Sequence, residues 1–294
     1  MTAAPDPASP SRRAAEREQG GAPGGAGLFP AARRFLPAER LDDWRIVADY
    51  AAALRAVVDH PALEPARKEA RLKALADAIE GEAAGAEGDA ALRAALTLRH
   101  LLESRGLTLQ DPWQMLQAAG QDIRKTSYAD WSDLIAWCRY WAAPMGRMGH
   151  RLAGGDDGGL VGAESFAMAT QLLYLAEQAA THQRWLGRVY FPVRWFQEAG
   201  ADPSDLMAAR ATPALRTVFS RLIGEVQQLL AVSAGLYRFL PGVRIRIAAA
   251  VAHAEARAWA RQLARSDPLA NPGRGGGAAG IRAIAAGMAR GLLS

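Results

Sequence analysis

The chain has 294 residues, half of them hydrophobic, with a formal net charge of +5 and a pI of about 9.7. That length can bury a sizeable core as one large domain or two small ones. A single cysteine, Cys138, excludes an intramolecular disulfide and a cysteine-based zinc cluster, and no run approaches the roughly 20 apolar residues of a membrane span.

Alanine and arginine dominate and β-branched residues are sparse, which favours an all-α fold. The positive charge is spread along the chain and reads as compositional bias. The alternative is an affinity for anions, whether nucleic acid, acidic lipid or diphosphate. Residues 1–27, rich in Pro, Gly, Ala and charge, lack the apolar stretch of a secretory leader and are expected to be disordered. A helix is predicted from about Leu41 to Asp59, ending before Pro61. An amphipathic helix follows in "LEPARKEARLKALADAIEGE", with Leu72, Leu75, Ala76 and Ile79 on one side. Another spans "DAALRAALTLRHLLESRG" and closes at Gly106, and a shorter one carries Pro112 in its first turn. Asp130 is the expected N-cap of "WSDLIAWCRYWAAPMGRMGHRLAG", with Pro144 expected to kink it.

After the loop "GGDDGG", the segment "LVGAESFAMATQLLYLAEQAATHQRWLG" is predicted as one long apolar helix with an extended exit at "RVYFP". Within it Gln178 and His182, four residues apart, would share a helix face. Short helices and turns fill the next stretch, and two long helices, "ALRTVFSRLIGEVQQLLAVSAGLYRFL" and "VRIRIAAAVAHAEARAWARQLARSDP", close the body. About ten helices in a single domain over residues 28–270 are expected. Residues 271–294 are read as a Gly-rich linker and an amphipathic helix with Ile281, Ile284, Met288 and Leu292 on one face. That helix would lie reversibly on a membrane surface or dock on its own domain. His100, His150 and His253 show no metal-ligand spacing.

Three blocks carry a family resemblance. "YADWSDLIAWCRYWAAPMGR", residues 128–147, is similar to Tyr-x-Asp-Trp followed by Leu-x-x-Tyr-Cys-Arg-Tyr-Ser-Ala-x-Pro-Val-Gly-Arg. "QLLYLAEQAATHQRWLGRVYFP", residues 171–192, is similar to Leu-Gln-x-x-Asn-x-x-x-Asp-x-x-x-Asp followed by Arg-Val-Tyr-Leu-Pro. "FPAARRFLPAERL" running into "VVDHP", with "RSDPL" at residues 265–269, completes the pattern. Together they resemble the squalene/phytoene synthase family, and within it the hydroxysqualene synthase branch of bacterial hopanoid biosynthesis. The resemblance implies a single-domain isoprenoid synthase fold. It also implies an apolar cavity whose mouth holds an isoprenyl diphosphate through Mg²⁺ bound on two facing aspartate-rich helices. A hard cation suits those oxygen ligands and neutralises the leaving group.

The acidic positions depart from that pattern. Gln178 and His182 stand where the second motif has aspartates, and Tyr174 where it has Asn. The first motif falls on Arg55, Ala56 and Asp59, the helix's preceding Tyr and Arg fall on Ala48 and Ala52, and Trp137 replaces a Tyr. Asp59 is then the one surviving metal ligand, and a guanidinium at a metal site repels a cation. The catalytic positions are therefore read as degenerate at Arg55, Asp59, Trp137, Gln178 and His182. The substrate-binding candidates are Arg55, Tyr128, Arg147, Gln171, Tyr174, Arg184, Arg188 and Tyr190. Gln178 and His182 are either polar groups in a filled former pocket or, for His182 with Arg55, Arg188 and Arg184, a metal-free diphosphate site.

Two functional readings follow. The first is a non-catalytic or impaired homologue that keeps an isoprenoid pocket and acts in or beside squalene and hopanoid biosynthesis. It would sit in the cytoplasm, peripheral to the inner membrane face if the tail attaches there, with any protein partner unnamed. The second is an active transferase on farnesyl or presqualene diphosphate, which would need Mg²⁺. A nucleic-acid role has no motif of interleaved aromatic and basic residues to support it.

Overall fold

A computed structural model describes residues 29–82 and 88–270. Both terminal segments, and with them the predicted amphipathic tail helix, lie outside the described residues. Among those residues ten α-helices form an all-α body: α1 (Ala38–Val58), α2 (Pro65–Glu80), α3 (Ala90–Ser104), α4 (Gln110–Arg124), α5 (Trp131–Leu152), α6 (Leu160–Glu177), α7 (Ala179–Leu186), α8 (Val193–Ala199), α9 (Pro213–Val232) and α10 (Val243–Arg265). Four short 3₁₀ segments join them, the first at Ala32–Phe35 and the last at Leu236–Phe239.

The boundaries follow local chemistry. The Asp89 and Asp130 side chains accept backbone N–H groups at the starts of α3 and α5, and Thr212 does so for α9 ahead of Pro213. Gly187, at φ 59°, takes the left-handed turn that ends α7 and throws the chain into an extended strand. α5 and α6 run side by side through the core. A Cβ on Gly146 would stand 2.4 Å from the Ala163 carbonyl oxygen, so only glycine allows that approach. α5 continues through Pro144 as one element from Trp131 to Leu152.

The single long helix predicted over residues 160–187 is in fact two. Gln178, at φ −94° and ψ 7°, leaves the α region and divides α6 from α7. The apolar periodicity across the break hid it, because both halves bury the same side of the chain. The extended exit at residues 189–192 is strand β2 (Val189–Pro192), which pairs in parallel with β1 (Ser127–Tyr128). This two-stranded clip brings the end of α4, the start of α5 and the exit of α7 to one point. The next helix predicted, over residues 214–240, ends at Val232, and Gly235 turns the chain into the last 3₁₀ segment. No helix among the described residues is long and apolar enough to cross a membrane.

Candidate functional site

The last turn of α1 presents Arg55 and Asp59 one helical turn apart, and the guanidinium forks onto the carboxylate. Nε donates to Oδ2 at 2.9 Å and Nη2 to Oδ1 at 2.7 Å. The third Arg55 nitrogen, Nη1, donates to Oδ2 of Asp122, which reaches in from the last turn of α4 with a fully buried side chain. The clip supplies the rest. Its pairing stacks Tyr128 on Tyr190, with ring centroids 5.7 Å apart. The Tyr190 hydroxyl donates to Asp122 Oδ2 at 2.7 Å, and the Tyr128 hydroxyl donates to Oδ1 at 3.1 Å. Arg188, buried beside them, donates through Nη1 to Asp59 at 2.8 Å and through Nη2 to the Asp122 carbonyl at 2.8 Å.

Two guanidiniums and two carboxylates thus close a buried cluster of zero net charge. Burial opposes ionisation of Asp59, but Arg55 and Arg188 outweigh it and hold its pKa below the usual carboxylate range. Burial likewise opposes the charge on Arg55 and Arg188. The surrounding carboxylates and the Tyr190 oxygen overcome it, raising the Arg55 pKa well above its ordinary value and the Arg188 pKa above its own, so both stay cationic. Burial pushes the Tyr190 and Tyr128 phenols far up, so they serve as neutral donors.

His182 packs edge-on between Tyr190, at 5.2 Å, and Tyr174, at 5.8 Å. Burial first, then Arg55, lowers its pKa to about 3, so the ring is neutral at neutral pH. Its Nδ1 has no hydrogen-bond partner. Because the folded pKa lies below the unfolded value, the unfolded chain binds more protons below pH about 6.5, and stability falls with pH from there. The slope is at most about 1.4 kcal/mol per pH unit for this one group. Unfolding titrations between pH 6.5 and 4.5 should show that slope in the native chain, and it should flatten in His182→Phe. An unchanged slope in the variant would place the titrating group elsewhere.

Beside Asp59, the one motif aspartate that survives, the fold sets a second acid, Asp122. It lies in no aspartate-rich motif, and only the fold brings it there from 67 residues away. The residues do not fit Mg²⁺. Every oxygen of both carboxylates already accepts from a guanidinium or a phenol, and the two cations would have to leave before a third could enter. The one trio of acids among the described residues spaced to share a cation is Asp77, Glu80 and Glu82, at the end of α2. None of these is a motif position.

The other predicted residues divide. Tyr174 joins the cluster's edge, with its pKa pushed up to about 12, mainly by burial. Gln178 sits half-buried at the helix break, and its side chain forms no hydrogen bond among the described residues. Arg184 is exposed, without an ion-pair partner among the described residues. Arg147 is held elsewhere, donating to Asp111 at 2.7 Å, Glu164 at 2.7 Å and Gln114 at 2.6 Å. With its nitrogens occupied between α4, α5 and α6, Arg147 ties helices together instead of facing the cluster.

An apolar cavity of about 230 Å³ lies on the other side of Trp141, between the first 3₁₀ segment, α5, α6 and α10. It exceeds the roughly 150 Å³ apolar cavity known to admit benzene. Cavity and cluster share no lining residue. Trp141 links the two: its ring lies 5.4 Å from the Arg55 guanidinium carbon, and its Nε1 donates at 3.1 Å to Gln171, which lines the cavity. Trp137 stacks on Trp141 at 5.9 Å and against Tyr190 at 5.0 Å, thickening the partition. Trp141 stands where the similar pattern has Ser, a departure readable in the sequence that the acidic positions overshadowed.

Three comparisons bear on this geometry. The family profile described as squalene/phytoene synthase matches residues 26–275. Among curated proteins, the hydroxysqualene synthase of Rhodopseudomonas palustris is 29% identical over 175 residues, 60% of each chain. That of Sinorhizobium fredii is 26% identical over 213 residues, covering 72% of this chain and 71% of the relative. The match therefore spans only about 60% of the R. palustris protein's length. Among solved structures, squalene synthase HpnC from Alicyclobacillus acidocaldarius superposes with a TM-score of 0.66 at 25% identity, over 81% of this chain and 88% of that one. A dehydrosqualene synthase in complex with ligand gives a TM-score of 0.71 at 18% identity, over 91% and 92%, a likeness of fold.

Proposed function

Because this chain belongs to the squalene/phytoene synthase family, we propose that it is a member whose diphosphate end has become a closed internal salt-bridge cluster while its isoprenoid pocket remains. In this reading it binds an isoprenoid chain in or beside squalene and hopanoid biosynthesis and does not ionise an allylic diphosphate. The observation that carries it is Arg55, which occupies a motif position and donates to both Asp59 and Asp122. The neutral state of His182 adds to it, since an imidazole with a pKa of about 3 brings no charge to a phosphate.

Each residue then has a definite task. Arg55, Arg188, Asp59 and Asp122 neutralise one another, and the two tyrosines satisfy the remaining oxygens of Asp122. Trp137 and Trp141 separate these charges from the apolar cavity, and Gln171 anchors Trp141. A bound chain would be held by apolar contact in the cavity, with its polar end away from the cluster.

Two measurements test the reading. Purified protein with Mg²⁺ and farnesyl or presqualene diphosphate should release no pyrophosphate above the protein-free rate; magnesium-stimulated turnover would establish the active-transferase alternative. In EDTA, calorimetric titration should give farnesol and farnesyl diphosphate affinities within about tenfold, a difference of roughly 1.4 kcal/mol. A hundredfold preference for the diphosphate would mean that the cluster opens to receive it.

A further inference from the structure

Four large apolar side chains stand exposed at one end of the molecule: Val161 (64% exposed), Val232 (57%), Phe239 (41%) and Val243 (48%). They lie on elements that meet. Gly162 lies in contact range of Leu236 and Ser233, which sets the start of α6 against the turn that follows Val232. The Phe239 ring lies against Gly158, and its carbonyl accepts the Asp156 N–H at 3.1 Å. Val243 opens α10 four residues later. The other exposed large hydrophobics, Tyr140, Trp185 and Met207, lie on other elements.

Unpaired charge around the patch is mainly cationic. No Asp or Glu occurs between residues 226 and 254, whereas Arg238, Arg244 and Arg246 do. Arg238 and Arg244 are exposed and form no ion pair among the described residues. Arg33 and Arg34 add two more cations from the first 3₁₀ segment. The nearby acids are engaged: Asp157 pairs with Arg151 at 3.0 Å, and the Asp156 side chain holds the Gly158 N–H.

The apolar cavity reaches the surface beside this patch. Its partly exposed lining residues include Arg33, Leu36, Ile245 and Ala249, on the first 3₁₀ segment and the first turns of α10. Leu236 and Leu240 line it from the patch side. Segment 236–245 therefore builds the cavity wall with some residues and the exposed apolar surface with others. Bulky apolar groups ringed by arginines, at the mouth of an apolar cavity, match the interface of a bilayer with anionic headgroups.

We propose that this end of the molecule docks on the surface of an anionic lipid bilayer and opens the apolar cavity toward it. The site is built without residues of the predicted amphipathic tail, and it does not depend on whether the buried cluster is catalytic. Lateral entry from a bilayer would also suit a water-insoluble chain that cannot pass the Trp137–Trp141 partition.

The full-length chain tests this directly. Cys138 is buried, so an environment-sensitive fluorophore attached to Phe239→Cys or to Trp185→Cys reports only the new position. With phosphatidylglycerol-containing vesicles, emission should rise several-fold at position 239 and stay level at 185, and pure phosphatidylcholine should give a much smaller rise. The double variant Phe239→Glu/Val243→Glu, altered only at exposed positions, should lose at least about tenfold in vesicle co-sedimentation with its tail intact. No rise at 239, an equal rise at both positions, or undiminished sedimentation of the double variant would overturn the proposal.

Discussion

Replacing Asp122 by Asn should lower the unfolding free energy by about 3–5 kcal/mol, the usual cost of removing one partner from a buried ion pair. The substitution keeps the shape and removes the charge. Arg55 and Arg188 would then share only Asp59, and the amide nitrogen, standing in place of one oxygen, would turn its N–H groups toward donors already aimed at that position. Water cannot relieve this, because the Asp122 side chain is fully buried. Asp59→Asn should cost less, since that side chain keeps 27% exposure and water can reach it. Urea unfolding followed by tryptophan fluorescence would read both. A loss below about 1 kcal/mol for Asp122→Asn, in the range of exposed pairs, would mean that the cluster is not electrostatically coupled.

Arg55→Asp carries the second large effect. Arg188 would contribute +1 against −3 from residues 55, 59 and 122, leaving −2 where the native cluster is neutral. In EDTA the variant should unfold far more readily than the native chain. Millimolar Mg²⁺ should restore about 2.7 kcal/mol if the ion reaches a hundredfold excess over its dissociation constant, because a ligand that binds only the folded state stabilises it by mass action. The native chain should show no such shift. Equal stabilisation of both proteins by Mg²⁺ would mean that a cation already has a place among the native residues, and the proposed loss of metal chemistry would fall with it. Adding Gln178→Asp and His182→Asp restores the remaining acids of the second motif, and the gain should grow if that pocket mouth keeps its geometry.

The helices were legible because their signals are local. The stripe of Leu72, Leu75, Ala76 and Ile79, the Asp130 cap and the terminating glycines each act within one or two turns. The motif positions could be placed by resemblance, and the loss of acids at 55, 178 and 182 was visible at once. What those losses did to the site was not. Asp122 belongs to no pattern, and its role comes from a parallel strand pair of two and four residues that no sequence period announces. Arg147, read as a substrate contact, is held by Asp111, Gln114 and Glu164, two of which come from a helix with no motif. The break at Gln178 escaped detection because hydropathy continues across it. Trp141 was in plain view, but a tryptophan on an apolar helix reads as core until something must pass it.

The neutral cluster also constrains how this chain can change. Its members come from α1, α4 and the α7 exit, and their energies are not additive. Any single step back toward a cation-binding centre passes through a form with an unmatched charge in a dry interior, and reopening the passage at Trp141 removes a partner from Gln171 besides. Loss of the acids could accumulate one substitution at a time, whereas regaining them demands several at once. On the proposed reading the arrangement works as a ratchet, holding descendants of this chain to a task that requires no metal.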